Sequence, residues 1–221
     1  MKLLYSAVCK LLSGFLLLLL LLFLPTGTLR YWNGWLLMGI LFLPMVFLGL
    51  WLLRKHPALL QKRLNAKETE GAQKQVVALS ALTFLGGFLS AGFSFRFGLW
   101  LLPRQVSLAA AALFLFGYGL YARVLVENHW LARTVEVQEG QRVVDTGLYG
   151  MVRHPMYTAT LFMFLSMPLV LGSLLSFLLF LPYPLLIAKR IENEEAVLEE
   201  GLPGYRDYKQ RVKYRLLPGI W

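Results

Sequence analysis

Residues 156–188 read MYTATLFMFLSMPLVLGSLLSFLLFLPYPLLIA, 33 consecutive positions without a charged side chain. At 1.5 Å per residue a single straight helix of that length would reach roughly 50 Å, far beyond a hydrocarbon core of about 30 Å. Pro168 and Gly172 lie near the middle of the run. Proline withdraws a backbone donor and glycine accepts the turn that must follow, so the segment is expected to fold as a helical hairpin of two shortened spans.

Four more apolar runs lie upstream. Residues 31–53 form an uncharged run of 23 with Trp32, Trp35 and Trp51 towards its ends, where amphipathic rings favour a membrane interface. Residues 76–95 and 105–122 give uncharged runs of 20 and 18, the second rich in Ala and Gly as closely packed membrane helices are. The leucine-rich run 11–24 follows Lys2 and Lys10 and precedes Pro25 and Gly27, a layout close to a signal peptide. No small-x-small cleavage site follows it, so a retained first span is expected. The fold class is therefore an all-α polytopic membrane bundle with about six transmembrane segments, the last two forming the hairpin.

Composition agrees, with 57% hydrophobic and 15% charged residues against about 25% charged in a soluble domain. The net charge of +10 does not point to nucleic acid, because the basic residues separate apolar runs instead of lining one solvated face. With the N-terminus on the cytosolic side, six crossings put 19 of the 22 Lys and Arg inside and leave only Arg30, Arg96 and Arg104 outside. Five crossings would put the basic C-terminal tail outside, against the positive-inside bias. Both termini and the active site are accordingly expected on the cytosolic face. Cys9 is the single cysteine, which excludes an intramolecular disulfide and a cysteine-cluster metal site, and no metal is expected.

The polar stretch between spans four and five contains Thr134-Val135-Glu136-Val137-Gln138, which alternates, and then Glu139-Gly140, which offers a turn. A short hairpin on the membrane face is expected there. No internal repeat or domain linker is visible. Residues 1–126 read as four spans, and residues 127–221 as a catalytic region of loop, helical hairpin, C-terminal helix and tail, within one integrated domain.

Chemically distinctive residues flank the hairpin. Upstream stands Gly147-Leu148-Tyr149-Gly150-Met151-Val152-Arg153-His154-Pro155-Met156-Tyr157; downstream stand Glu194-Glu195, Gly204-Tyr205, Tyr208, and Val212-Lys213-Tyr214-Arg215-Leu216-Leu217-Pro218. Pro155 suits the first turn of a helix and biases His154 towards an extended conformation, which places His154 at a helix entrance. Free amides and the positive dipole end there can hold an anion. On the last helix, Ile187, Ile191 and Leu198 share a stripe that also takes in Glu194, while Glu195 points about 100° further round and Glu192, Glu199 and Glu200 are expected to be solvated. An ionisable group facing a membrane bundle needs a partner, and Arg190 at i−4 of Glu194 is one local choice. Arg153 and His154 alone could mark a membrane boundary, Tyr149 and Tyr157 could be interfacial anchors, and the basic tail could contact anionic lipid. Asn128 and His129 are expected to cap a helix end, and His56-Pro57 to be loop structure.

In their order and placement these elements resemble the isoprenylcysteine carboxyl methyltransferases and related phospholipid methyltransferases, which share an Arg-His-Pro-x-Tyr element, a glutamate pair and a tyrosine-containing tail. The resemblance runs from Asn128 to the end of the chain. It implies S-adenosylmethionine as cofactor, held by Tyr149, Arg153, His154, Pro155, Tyr157, Glu194, Glu195, Tyr205 and Tyr208. Arg215 would orient the acceptor carboxylate, and Glu194 would meet the cofactor ammonium or act as a base. Tyr205 and Tyr208 either stack on the adenine or anchor the tail at the headgroups. The implied partners are the bilayer and a lipophilic acceptor, a prenylcysteine-type carboxylate or, alternatively, a phospholipid amine. No Gly-x-Gly-x-x-Gly follows a strand pattern, which argues against a soluble Rossmann methyltransferase. The membrane sterol reductases are also similar here, through an Arg-His-x-x-Tyr element used with a nicotinamide cofactor, although Met156 stands where that group commonly has asparagine. A non-catalytic membrane scaffold is the remaining alternative.

Overall fold

The computed structural model describes residues 2–65 and 71–221, at position 72 the backbone alone. Lys67, counted above with the inside charges, lies outside the described residues. The leucine-rich run becomes α1 (Lys2–Thr26) and the tryptophan-flanked run becomes α2 (Trp32–Lys55). A short helix, α3 (Pro57–Leu64), follows with Pro57 in its first turn. Then come α4 (Gly71–Phe97), α5 (Arg104–Glu127), a 3-10 turn (Gly147–Gly150) and α6 (Pro155–Val170). The chain closes through α7 (Leu174–Phe180), α8 (Tyr183–Gly201) and α9 (Tyr205–Arg211).

α1, α2, α4, α5 and the α7–α8 stretch (Leu174–Gly201) are each long and apolar enough to cross a membrane, while α6 is a shorter apolar helix. The protein is a multi-pass helical membrane protein. Leucines and phenylalanines such as Leu20, Leu24, Leu43, Phe47, Leu82, Phe116 and Leu185 lie exposed around the bundle, as side chains whose solvent is lipid can. The interior is filled by Leu22, Leu37, Phe114, Val170, Leu171 and Phe180, with Phe84 in edge-to-face contact with Phe164, Phe180 and Tyr183.

The expected hairpin forms, and its turn is built from the residues that suggested it. α6 ends at Val170, and Gly172 takes φ +69°, a left-handed conformation that suits glycine. A membrane-embedded helix end leaves carbonyls that need donors. Asn33 Nδ2 donates to the Val170 carbonyl at 2.7 Å and to Ser107 Oγ at 3.0 Å, and the Tyr31 hydroxyl donates to the Leu171 carbonyl at 2.5 Å. Leu102 N–H reaches the Gly172 carbonyl at 2.8 Å, and Leu174 N–H the Trp100 carbonyl at 3.0 Å. The return leg breaks again at Leu181–Pro182, between α7 and α8, a break the uncharged run did not announce.

Among the described residues α5 and α6 share the most extensive helix–helix contact, and small residues permit it. A Cβ on Gly117 would sit 2.9 Å from Phe162 Cβ and 3.0 Å from the Ala159 carbonyl oxygen, so only glycine permits that separation. The contacts sort into two ends. At one end Arg63 reaches the Ala132 carbonyl, Gln73 reaches the Arg190 carbonyl, and Lys10 reaches the Leu64 carbonyl. At the other, Tyr31 and Leu102 meet the hairpin turn. Along the described residues the chain therefore runs from one end of the bundle to the other six times, once through the shorter α6. The stretch 134–138 pairs with no strand among the described residues; the turn at Glu139–Gly140 forms, but Gln138 bonds to Gln141 and to the Trp130 carbonyl instead of to a partner strand.

Candidate active site

His154 is the residue before α6, and Pro155 occupies the first helical position, as the sequence requires of a proline at a helix entrance. From below, the C-terminal tail is stitched to this entrance. Arg153 N–H donates to the Tyr214 carbonyl and His154 N–H to the Arg215 carbonyl, both at 2.9 Å, and Thr158 Oγ1 donates to the Leu216 carbonyl at 2.8 Å. From the side comes α8, whose two adjacent glutamates meet different surroundings.

Glu195 is the centre of a buried charge cluster. It is 2% exposed, and one oxygen accepts from Arg153 Nε at 2.7 Å and from His154 Nε2 at 3.1 Å. Its other oxygen accepts from Arg215 Nε at 3.1 Å, with Arg215 Nη2 at 3.0 Å and Lys209 Nζ at 3.7 Å. Arg153 extends the cluster to the tail, donating from Nη1 to the Val212 and Lys213 carbonyls at 2.7 and 2.8 Å. The burial of Glu195 differs from the expectation that Glu194 is the inward-facing member. Helical spacing places Glu195 in the i+4 row of Ile187 and Ile191, and α9 with the tail covers that row, which the periodicity of one helix cannot reveal.

Glu194 faces a cleft instead. Its side chain keeps a quarter of its surface, accepts from the Tyr157 hydroxyl, and lies 4.0 Å from His154 Nδ1. Arg190 Nε donates to the same phenol oxygen at 2.9 Å, so the i,i+4 pair is linked through Tyr157. Arg190 also donates to Gln73 Oε1 at 3.3 Å and to the Arg133 carbonyl at 2.9 Å. The cleft holds about 850 Å³ of free volume counting its open mouth.

Of the residues singled out in the sequence, Tyr149, Arg153, His154, Tyr157, Glu194, Tyr205 and Tyr208 all line this one cleft. Pro155, Glu195 and Arg215 stand behind its wall: Pro155 starts the helix, Glu195 binds the cations, and Arg215 is held by Glu195 and by the Trp221 ring 4.8 Å away. Arg190, expected as the i−4 partner of Glu194, lines the cleft as well. Gln73, Arg133 and Trp130 were not singled out in the sequence; Gln73 carries no local signal, because it arrives from another helix.

Tyr205 supplies a polar atom with nothing to bind. It is 4% exposed, and its hydroxyl has no hydrogen-bond partner among the described residues. Such an orphan calls for a partner in the cleft it lines. Burial pushes its phenol above the ordinary tyrosine value, helped by the nearby Glu195 and Glu194 charges, so it stays a neutral donor at physiological pH. Tyr149 and Tyr208 are raised for the same leading reason, and the Tyr208 hydroxyl donates to the Tyr149 carbonyl at 2.8 Å. Gly204 at φ +82° caps the start of α9, whose buried residues are Tyr205 and Tyr208. Among the described residues no group of His, Cys, Asp or Glu could hold a metal ion.

Residues 105–203 match the family described as Phospholipid methyltransferase. The methyltransferase match takes in α5, the Arg153-His154-Pro155 entrance, the hairpin and both glutamates, and stops just before Tyr205. The chain is also 32% identical over 91 residues to the mouse Delta(14)-sterol reductase TM7SF2, a match that covers 40% of this chain and 22% of that protein. The aligned part is thus about a fifth of the length of that curated relative.

Proposed function

We propose that the protein transfers a methyl group from S-adenosylmethionine to a lipophilic acceptor presented from the bilayer. One observation carries this reading: a cleft at the end of a membrane bundle collects Glu194, His154, Tyr157, Tyr149 and Tyr205 within the methyltransferase-family stretch and its immediate continuation. The donor set fits the cofactor. Glu194 is a partly exposed carboxylate suited to an ammonium, and the Tyr205 hydroxyl is a buried donor in need of an acceptor.

When bound, the cofactor supplies an electrophilic methyl on a positively charged sulfur; the acceptor gains that methyl and a neutral thioether remains. The protein's work is alignment, which can lower a barrier by about 7 to 11 kcal/mol in favourable cases. Tyr157 and Arg190 fix the rotamer of Glu194. Arg153 and His154 are fixed in turn by Glu195, which Arg215 and Lys209 help to hold in place. Tyr208 ties α9 to the 3-10 turn through the Tyr149 carbonyl, closing the tyrosine side of the cleft. The acceptor we favour is a prenylcysteine-type carboxylate, already ionised near neutrality and in need of no base. A phospholipid amine would first lose a proton, and Glu194, a carboxylate that lines the cleft, would take it. The cleft and the basic end of the bundle face the cytosol in this reading.

The test is transfer of a radiolabelled methyl from S-adenosylmethionine by the purified chain to a prenylcysteine analogue, phosphatidylethanolamine or a sterol. Label in the prenylcysteine fraction, recovered as a base-labile ester, is expected. The similarity to a sterol reductase supports a second reading, reduction with a nicotinamide cofactor, for which the arginines at the rim, Arg133, Arg142 and Arg190, would meet phosphate. NADPH oxidation with a sterol acceptor and no methyl transfer would establish it.

A further inference from the structure

A second cavity lies beside the cleft, across the Trp130 side chain, which lines both. Lys55, His56, Pro57, Ala58, Leu59, Lys62 and His129 complete its lining, and it encloses about 720 Å³ of free volume counting its mouth. It sits at the junction of α2, α3 and the end of α5. Among the described residues its lining contains four basic side chains and no carboxylate.

The two imidazoles stack, with ring centroids 4.8 Å apart and planes at 21°, and Trp51 lies 5.0 Å from His56. Neither imidazole nor the Lys55 ammonium has a hydrogen-bond or ion-pair partner among the described residues, whereas Lys62 bonds Gln138 and lies 5.2 Å over the Trp130 ring. Glu127, the carboxylate nearest to His129 in the sequence, is engaged by Arg123 and by the Leu148 N–H. The start of α3 adds the amides of Ala58 and Leu59, which precede the first intrahelical acceptor. Lys62 apart, donors thus converge on one space with no acceptor among the described residues, and a tetrahedral anion with several acceptor oxygens satisfies them together.

Position says where the anion comes from. Leu59 and Leu60 bury themselves against Leu52 and Leu125, so α3 lies on the end of the bundle with its apolar side down. Trp51 and Trp130 lie at this end of the bundle, and tryptophan rings favour the headgroup level; Arg54 and Lys55 end α2 there. We propose that this cavity binds the phosphate group of an anionic membrane lipid, with Lys55, Lys62, His56 and His129 as its donors. The site is separate from the catalytic cleft and does not depend on the reaction proposed for it.

The probes are phosphatidylglycerol and phosphatidylcholine in detergent micelles, with inorganic phosphate and glycerol 3-phosphate as soluble anions, read by native mass spectrometry of the full chain. Wild-type protein is expected to retain phosphatidylglycerol at a concentration at least about tenfold lower than phosphatidylcholine, and Lys55→Gln to weaken that retention roughly fivefold. The triple variant Lys55→Gln, Lys62→Gln, His129→Gln is expected to lose the preference, and Lys189→Gln on α8 to keep it. Equal retention of the two lipids, or an undiminished preference in the triple variant, overturns the site. Soluble anions binding as tightly as the lipid overturn the lipid assignment. Hydrogen exchange on the wild-type chain needs no variant: phosphatidylglycerol is expected to protect amides at 55–62 and 129–130, and unchanged exchange there contradicts the proposal.

Discussion

Two adjacent glutamates should answer the same substitution in opposite ways. Glu195→Gln keeps the shape and removes the charge from a carboxylate that meets Arg153 Nε, His154 Nε2 and two nitrogens of Arg215. Arg215 and Lys209 keep 24% and 37% of their side-chain surface and can turn to water, so the loss rests on Arg153 and His154, at 5% and 4%. Stranding one partner of a buried pair costs about 3–5 kcal/mol. At roughly 2–4 °C per kcal/mol for a chain of this size, Tm falls by about 6–20 °C. Arg153 also holds the Val212 and Lys213 carbonyls, so the tail is the first part to loosen. Glu194→Gln retains an oxygen for the Tyr157 hydroxyl and sits at the cleft, so its stability changes by less than about 1 kcal/mol. It removes the countercharge for an ammonium, and S-adenosylmethionine affinity should fall about 10- to 100-fold. Thermal denaturation in detergent reads the first effect and isothermal titration calorimetry the second. A stable Glu195→Gln beside a strongly destabilised Glu194→Gln would refute the division of roles.

Tyr205→Phe should leave Tm within a degree while weakening cofactor binding about 2- to 12-fold by calorimetry, because the hydroxyl bonds nothing in the protein. Tyr149, Tyr205 and Tyr208 hold their protons more tightly when folded, so their contribution is complete below the ordinary tyrosine value near 10 and is lost as pH rises beyond it. Denaturation midpoints should therefore drop above pH 10, by up to roughly 1.4 kcal/mol per pH unit for each tyrosine, and less steeply in Tyr205→Phe. Gly117→Ala should destabilise the bundle by about 1–3 kcal/mol in a denaturant titration, because its methyl meets the Ala159 carbonyl. Arg153→Lys keeps the charge but cannot reach Glu195 and two carbonyls at once, so limited proteolysis should cut the tail faster.

What was legible in the sequence follows from the range of each force. Membrane spans announce themselves because the bilayer imposes length and composition locally, and the hairpin because Pro168 and Gly172 mark the interruption. His154 at a helix entrance follows from the proline beside it. The choice between Glu194 and Glu195 was not legible, since it depends on α9 and the tail folding over one row of α8. The same holds for Gln73, which reaches Arg190 across the fold. Residues 134–138 alternate as a strand would, but Gln138 finds its partners in Gln141 and Trp130, and no second strand arrives.

In the proposed function the cleft around Glu194 takes a cationic sulfonium nucleotide. Equilibrium binding of S-adenosylmethionine and NADPH to the purified chain tests it most directly, repeated with Glu194→Gln and His154→Ala. Saturable S-adenosylmethionine binding that both substitutions weaken is expected, with NADPH bound poorly or not at all. Tight NADPH binding, with no binding of S-adenosylmethionine, would contradict it.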